Sequence, residues 1–126
     1  MKELKFNSQI CTTEEQSQRL IKLGLNSETA DMCWFNDMQT PCCAAYKYFE
    51  VRAKEMKWVI FPAWSLHRLI EMCNKTQSGM TISIYNDEVI ADGDLFEVFD
   101  NAYDNLISVI EWLIKTGLFN KEYLKQ

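Results

Sequence analysis

The chain has 126 residues, of which 48% are apolar and 25% are charged, and its formal net charge is −5. A chain of this size and balance is expected to form a single domain, 1–126, whose core needs no disulfide or metal for support. The negative charge argues against direct binding to DNA or RNA, because such binding depends on Lys and Arg displacing counterions from phosphates. It likewise argues against binding to an anionic membrane surface.

The sequence also predicts a compartment. No stretch approaches the roughly 20 apolar residues of a membrane span, and the opening Met-Lys-Glu-Leu-Lys-Phe-Asn has no apolar run typical of a signal peptide. The five cysteines are odd in number, and Cys42 adjoins Cys43, which fits free thiols in a reducing cytoplasm. We therefore expect a cytoplasmic protein without a cofactor.

Capping residues predict the first helix. Thr12-Thr13-Glu14-Glu15-Gln16 contains two overlapping capping boxes, in which a Thr side chain and the side chain three residues later each accept the other's backbone N–H. The pattern predicts a helix over 13–23 that Thr12 or Thr13 caps. Gly24 is expected to end this helix in the left-handed conformation, followed by an apolar contact from Leu25.

The clearest helix lies near the C-terminal end, at 101–116. Asp100 or Asn101 can cap its start, and Gly117 with Leu118 repeats the ending of the first helix. We interpret this echo as two uses of one helix-ending device. One face of the helix is a wide apolar stripe formed by Tyr103, Leu106, Ile107, Ile110, Leu113 and Ile114.

Two short apolar runs in the middle of the chain predict buried strands. The first is Met-Cys-Trp-Phe at 32–35, and the second is Trp-Val-Ile-Phe at 58–61. Pro62 is expected to end the second strand, because proline has no N–H to donate.

The stretch between these runs is predicted to be a helix from 41 to about 55. Thr40-Pro41 resembles a cap followed by a first helical residue. A strand is the alternative, because Tyr-Lys-Tyr-Phe-Glu-Val at 46–51 is rich in strand-favouring residues. As a helix, the stretch would direct one face inward at Cys42, Ala45, Tyr46, Phe49, Ala53 and Met56.

The second half of the chain predicts a sheet with helices on it. Ser65 is expected to cap a helix over 65–73. Alternating apolar residues then predict a three-strand antiparallel meander near 80–99, with turns at Asn86-Asp87 and Asp92-Gly93. Helices near 13–23, 65–73 and 101–116 packed on this small antiparallel sheet make a two-layer α+β domain.

Several short motifs carry a family resemblance. They are ICTTEEQS at 10–17, LGL at 23–25, TADM at 29–32, PAWSL at 62–66, LIEM at 69–72, and IEWL at 110–113 with Gly117 and Phe119-Asn120. With them the chain resembles small proteins of no established activity encoded in prophage-like and mobile regions of gut Bacteroidales genomes. The resemblance covers about half the chain and fades between Phe35 and Phe61. Many relatives carry proline soon after the Glu-Met pair, where this chain has Cys73-Asn74. The resemblance implies a small cytoplasmic phage or mobile-element protein and supplies no catalytic residues.

Residues capable of catalysis or metal binding form no recognised motif. The cysteines and the single histidine, His67, include no Cys-x-x-Cys pair, so we predict no metal site and no structural disulfide. Cys11, Cys33 and Cys73 are interpreted as small apolar core residues, and His67 as a solvent-facing helix residue. A cysteine nucleophile is the enzymatic alternative.

The four tryptophans are divided by their surroundings. Trp58 and Trp112 lie in or beside apolar runs and are predicted to be core residues. Trp34 and Trp64 border predicted loops. Each of these two either completes the core or serves as an exposed anchor for a partner, since tryptophan is favoured at binding hot spots.

Charge is segregated along the sequence. No Lys or Arg occurs between Lys75 and Lys115, whereas eight acidic residues do. An acidic face there would attract basic protein surfaces; the alternative is a solvated sheet edge, where charge discourages edge-to-edge pairing. The candidate partner-binding residues are therefore Asp87, Glu88, Asp92, Asp94, Glu97 and Asp104, together with Trp34 and Trp64.

These features predict a protein that binds another protein, as an adaptor or modulator. A specific form of this hypothesis is an acidic inhibitor that occupies the nucleic-acid-binding surface of its partner. The alternative is a small enzyme with a cysteine nucleophile. The sequence predicts neither direct nucleic-acid binding nor membrane binding, and it specifies no oligomeric state.

Overall fold

A computed structural model describes residues 8–35, 41–74 and 101–126, together with the backbone of 82–85, 88–91 and 94–95. The described part confirms the α+β class, with four α-helices and a two-strand antiparallel sheet. The helices are α1 Glu14–Lys22, α2 Tyr46–Met56, α3 Leu66–Asn74 and α4 Ala102–Lys115. The two paired strands are β1 Met32–Phe35 and β2 Ile60–Ala63.

Pro62 lies inside β2, so the prediction that it ends the strand is wrong. Cys33, directly opposite Pro62 in the antiparallel register, directs its N–H and C=O away from β2, toward Cys42. Opposite residues of an antiparallel pair point their N–H and C=O groups either both toward each other or both away. The Pro62 nitrogen therefore points away from β1, to the outer edge of β2, where no N–H is needed for the pairing. The strand therefore continues to Ala63, two residues beyond its predicted end.

Three more strand segments have described backbones, β3 Ile82–Tyr85, β4 Glu88–Ala91 and β5 Asp94–Leu95. β4 pairs antiparallel with both neighbours, and its backbone lies beside α4. The connections at 86–87 and 92–93, like residues 96–100, lie outside the described residues. The complete meander over 80–99 therefore stays a prediction.

The predicted helix starts have the expected caps. Thr13 Oγ1 accepts the Gln16 N–H at 3.2 Å, and the Gln16 side chain accepts the Thr13 N–H at 3.0 Å, which completes a capping box at α1. At α4, the Asn101 side-chain oxygen accepts the Tyr103 N–H at 2.8 Å. At α3, the Ser65 hydroxyl accepts the N–H three residues later at 3.1 Å. These local hydrogen bonds confirm what the sequence predicted at all three starts.

The two echoing helix ends are also confirmed. Gly24 and Gly117 have left-handed backbones, with φ of +104° and +75°. After each glycine, the next backbone N–H donates to a carbonyl in the last helical turn. The Leu25 N–H donates to the Leu20 carbonyl at 3.2 Å, and the Leu118 N–H donates to the Leu113 carbonyl at 2.9 Å. This is the Schellman arrangement, which satisfies carbonyls that the helix itself leaves without a donor.

α2 is a helix, as predicted, but it begins at Tyr46 and not near 41. Cys42 is held in extended conformation by two backbone hydrogen bonds to Cys33, at 3.1 and 2.7 Å. The predicted inward face is confirmed in part: Ala53 is buried, Tyr46 packs against the main core and Phe49 against Phe35, but Met56 is exposed. The pairing of Cys42 with Cys33 overrides the local Thr40-Pro41 start signal.

α4 is the centre of the main core. Its predicted stripe is buried, with Leu106, Ile110 and Leu113 fully inaccessible to solvent, and α3 packs beside it. Further core side chains come from α1, α3 and the segments after the Schellman endings; they include Leu20, Leu25, Leu69, Met72, Cys73 and Phe119.

A polar seam joins α1 to α4. The Gln16 amide donates to the Asp104 carboxylate at 2.8 Å, and Arg19 pairs with Glu111 at 2.9 Å. The second contact lies farther toward the C-terminus than the first on both helices, so the two helices run parallel. The segments that follow them meet in an antiparallel bridge, so both Schellman endings lie at one end of the protein.

Candidate protein-binding surface

The structure separates the two tryptophans proposed as partner anchors. Trp64 is fully buried in the core, and its indole N–H donates to Thr29 Oγ1 at 2.9 Å. It therefore takes the core alternative and presents no surface to a partner. Trp34 is partly buried; its indole N–H donates to the Thr12 carbonyl at 3.0 Å, and its ring stacks on Phe61. Of the two, Trp34 alone has accessible surface.

The two tryptophans predicted to be core residues are instead partly exposed. Trp112 is 37% exposed because it falls outside the apolar stripe of α4. Trp58 is 40% exposed and follows Lys57, the left-handed residue at which α2 ends. There its ring meets the edge of Phe35, with 5.8 Å between ring centroids.

Most of the predicted acidic surface lies outside the described side chains, at Asp87, Glu88, Asp92, Asp94 and Glu97. Asp104 is described, and it accepts the amide of Gln16. Glu111, from the same interval, is held between Lys115 and Arg19, whose hydrogen bonds lower the pKa of its carboxyl. These two acids stabilise contacts within the fold, and no described side-chain geometry tests the proposed acidic face.

The thiols are placed largely as the sequence predicted. Cys11, Cys33 and Cys73 are buried and His67 is exposed, which confirms both interpretations. Burial raises the pKa of Cys11 and Cys33 to about 11 and that of Cys73 to about 12, so the nucleophilic thiolate is disfavoured. Within the described part of the chain, no three His, Cys, Asp or Glu side chains converge to hold a metal ion.

Exposed apolar side chains are concentrated on one segment. Among the described residues eight large apolar side chains are exposed, and five of them lie between 48 and 59. Tyr48 and Val51, one helical turn apart, project from α2 on the side opposite its buried Ala53. Met56 lies on a different side of α2 from Val51, and Trp58 and Val59 follow the end of the helix, so what the five share is a segment of the chain. We name them the α2–β2 surface: Tyr48 at 72% exposure, Val51 at 67%, Met56 at 56%, Trp58 at 40% and Val59 at 63%.

An aromatic cluster supports this surface. Phe35, at the end of β1, meets Phe49 edge-on at 5.1 Å and Trp58 edge-on at 5.8 Å, both measured between ring centroids. Edge-to-face pairs are a favoured aromatic geometry. The cluster therefore packs Trp58 and one side of α2 against the end of β1.

Basic residues border the α2–β2 surface. Lys47, Arg52, Lys54 and Lys57 are interspersed with two acids, Glu50 and Glu55, in a chain whose net charge is −5. None of these four cations forms an ion pair with another described residue. The Lys47 ammonium lies 5.4 Å from the centroid of the Tyr48 ring, a cation–π distance. The surface thus combines apolar area with positive charge.

An apolar groove lies nearby, between α1 and β2. It has a volume of about 230 Å³, and Ile21, Phe61 and Pro62 form much of its apolar lining. A second depression, of about 370 Å³, shares Ile21 and Pro62 with it and reaches Tyr46 at the first turn of α2. The two hollows are therefore neighbours that share part of their lining.

Sequence reasoning missed the α2–β2 surface because it assigned Met56 and Trp58 to the core. A signal was present in Tyr48 and Val51, which share a helical face with Arg52 and Glu55 and not with Ala53. Apolar residues on the charged face of a predicted helix are the pattern of an exposed interaction site.

Comparisons with protein-family models, curated proteins and solved structures give no significant match to this chain. Within the described residues, no helix has the length and hydrophobicity needed to cross a membrane. Inferences about function therefore start from the geometry of the α2–β2 surface and its surroundings.

Proposed function

We propose that this chain binds another protein through the α2–β2 surface, as an adaptor or modulator. The observation that carries the proposal is the concentration of exposed large apolar side chains on one segment: five lie between 48 and 59, whereas α1 and α4 expose one each, Ile21 and Trp112. Exposed apolar patches rimmed by polar residues commonly mark interaction sites. Tyr, Trp and Met, which contribute here, are enriched at protein interfaces.

The partner segment proposed for this surface is acidic and carries apolar anchors. Lys47, Arg52, Lys54 and Lys57 would steer it electrostatically, and the apolar side chains would supply the contact. A protein is favoured over a nucleic acid because Glu50 and Glu55 interrupt the basic residues and the whole chain is negative. The same charges disfavour an anionic membrane.

Two hypotheses from the sequence have less support. The acidic interval between Lys75 and Lys115, proposed to meet a basic partner or to inhibit a nucleic-acid-binding protein, stays a sequence-based hypothesis. A cysteine-nucleophile enzyme has no support from the three buried thiols, whose raised pKa values oppose thiolate formation. His67, the single histidine, is exposed on α3, and among the described residues no hydrogen bond joins it to a thiol.

We further propose that the three strand segments over 82–95 complete a meander on which α3 and α4 pack as a second layer. The support is the antiparallel backbone pairing of β3, β4 and β5 and the position of β4 beside α4. The cytoplasmic location, and an origin in a phage or other mobile element, are proposals supported by the sequence resemblance.

Photo-cross-linking tests the proposed surface directly. A photoreactive phenylalanine analogue replaces Val51 on the α2–β2 surface or Ile10, which is 53% exposed and lies outside it, in cells that make the protein. We expect a covalent adduct from position 51 alone, joined to an acidic segment of one partner that mass spectrometry identifies. Adducts of equal yield from both positions, or adducts to basic segments, would contradict the proposal.

A further inference from the structure

Cys33 and Cys42 face each other in an isolated antiparallel bridge. The Cys33 N–H donates to the Cys42 carbonyl at 3.1 Å, and the Cys42 N–H donates to the Cys33 carbonyl at 2.7 Å. Two residues that exchange both hydrogen bonds have Cα atoms about 5.5 Å apart, and their side chains point to the same face of the ladder. The bridge is therefore a direct juxtaposition of two thiols.

This juxtaposition satisfies the Cα spacing of a disulfide, which joins residues whose Cα atoms are about 4.4–6.8 Å apart. A small approach of the two strands would bring the Cβ atoms within disulfide range. The two residues differ in access: Cys33 is fully buried, whereas Cys42 is partly exposed. An oxidant in solution therefore reaches Cys42 first, and Cys33 lies where it can displace a group bound to the Cys42 sulfur.

We propose that Cys33 and Cys42 form a reversible redox pair that a low-molecular-weight disulfide, such as oxidised glutathione, converts to an intramolecular disulfide. The Cys42 thiolate attacks one sulfur of glutathione disulfide, forming a mixed disulfide and releasing one glutathione thiolate. Cys33 then attacks the Cys42 sulfur and releases the second glutathione, and the Cys33 proton passes to the departing glutathione thiolate. Two protein thiols are oxidised, and one glutathione disulfide is reduced to two thiols.

The pair is suited to reversible use and not to permanent stabilisation. The loop it closes, 33–42, is short, so the entropy removed from the unfolded chain is small among disulfides. Disulfides of reducing compartments are generally transient and regulatory. The bridge would also fix the base of α2, because Phe35, two residues from Cys33, supports Phe49 and Trp58.

Oxidation at controlled ratios of oxidised to reduced glutathione tests the pair. After alkylation of the remaining thiols, chymotrypsin cuts after Trp34 and Phe35, so a Cys33–Cys42 disulfide appears as two cross-linked peptides in mass spectrometry. We expect the number of free thiols to fall from five to three and this peptide pair to form. Reduction should restore all five.

Two variants distinguish a Cys33–Cys42 disulfide from the other oxidation products that the five thiols could give. Cys43→Ser should form the same cross-linked peptides at the wild-type glutathione ratio, because Cys43 takes no part. Cys42→Ser should lose two-thiol oxidation while circular dichroism shows an unchanged fold. A vicinal Cys42–Cys43 linkage, a pair containing Cys43, or glutathione adducts that persist while Cys33 remains alkylatable would each overturn the proposal.

Discussion

At the scale of single residues, burial decides the chemistry of the thiols. Cys73 is fully buried among apolar side chains of the core, and desolvation raises its pKa from 9.0 to about 12. A thiol whose pKa is higher in the folded than in the unfolded chain stabilises the fold while it stays protonated. This contribution is complete below about pH 9 and is lost as pH rises toward the folded pKa of about 12.

We therefore predict a pH-dependent stability term at Cys73. Between pH 9 and 11 it should lower the free energy of unfolding by about 1.4 kcal/mol per pH unit. Cys73→Ala should be less stable at pH 7, because it leaves a void, but its stability should fall less steeply with pH. Urea denaturation across this range measures the slopes. Cys43→Ala, at an exposed site, is the control with the wild-type slope, and parallel curves for Cys73→Ala would contradict the account.

Residue-level predictions from sequence succeeded where one face of an element determined the environment. Cys73 and Leu69 follow the helical period of α3, and His67 falls off it. They failed for Trp58, which follows the left-handed Lys57 where no period applies, and they left Trp64 open between the core and a partner anchor. The direction of each ring is set by its tertiary partners, Phe35 for Trp58 and Thr29 for Trp64.

At the scale of elements, the helix ends were the most predictable features. A capping box or a Schellman ending involves residues within one turn, so local sequence contains all of its chemistry. The start of α2 was not predictable in this way. Its cap residue, Ala45, makes no side-chain capping bond, and the preceding Cys42 is paired with distant Cys33. Likewise, Pro62 is tolerated in β2 only because of its direction in the ladder.

Gly117→Ala tests the left-handed ending of α4. A Cβ at this position would meet nothing within 4 Å, so the loss measures backbone strain and not a clash. We expect the free energy of unfolding to fall by about 1 kcal/mol. Gly117→Asn should lose less, because asparagine tolerates this conformation better. Chemical denaturation gives both values, and equal stability of Gly117→Ala and wild type would contradict the assignment.

At the scale of the whole molecule, one core organises the described helices. α4 contributes more of its buried residues than any other described element, and α3, α1 and the C-terminal segment with Phe119 pack around it. This arrangement was predictable because the α4 stripe is both long and strictly periodic. The position of α2 was not, because most of its apolar side chains contact little of that core.

Ile110→Ala tests the centre of this core. Ile110 is fully buried, and truncating such a side chain typically costs about 2–5 kcal/mol. The matched control is Ile21→Ala at a position that is 42% exposed on α1, where we expect a change below about 0.5 kcal/mol. An unchanged denaturation midpoint and slope for Ile110→Ala would show that α4 packs through a different face.

The candidate site shows the limit of sequence reasoning at this scale. Sequence patterns led to the hypothesis of protein binding and located it on an acidic interval, most of which lies outside the described side chains, and on Trp34 and Trp64. The structure adds an exposed apolar segment with Tyr48 and Val51, which the sequence did not single out. Exposed apolar side chains of this kind can be located only when it is known which helix leaves much of its apolar surface outside the core.

A peptide-library selection tests the central claim most directly, because it can be carried out before any partner is identified. Peptides are selected on the wild-type protein and screened against Val51→Glu with Met56→Glu, and against Ile10→Glu as the matched control. The account predicts acidic peptides with apolar anchors that bind the control and wild type equally. Their affinity for the double variant should fall at least about tenfold, or about 1.4 kcal/mol. Basic peptides that bind all three proteins equally would contradict the account.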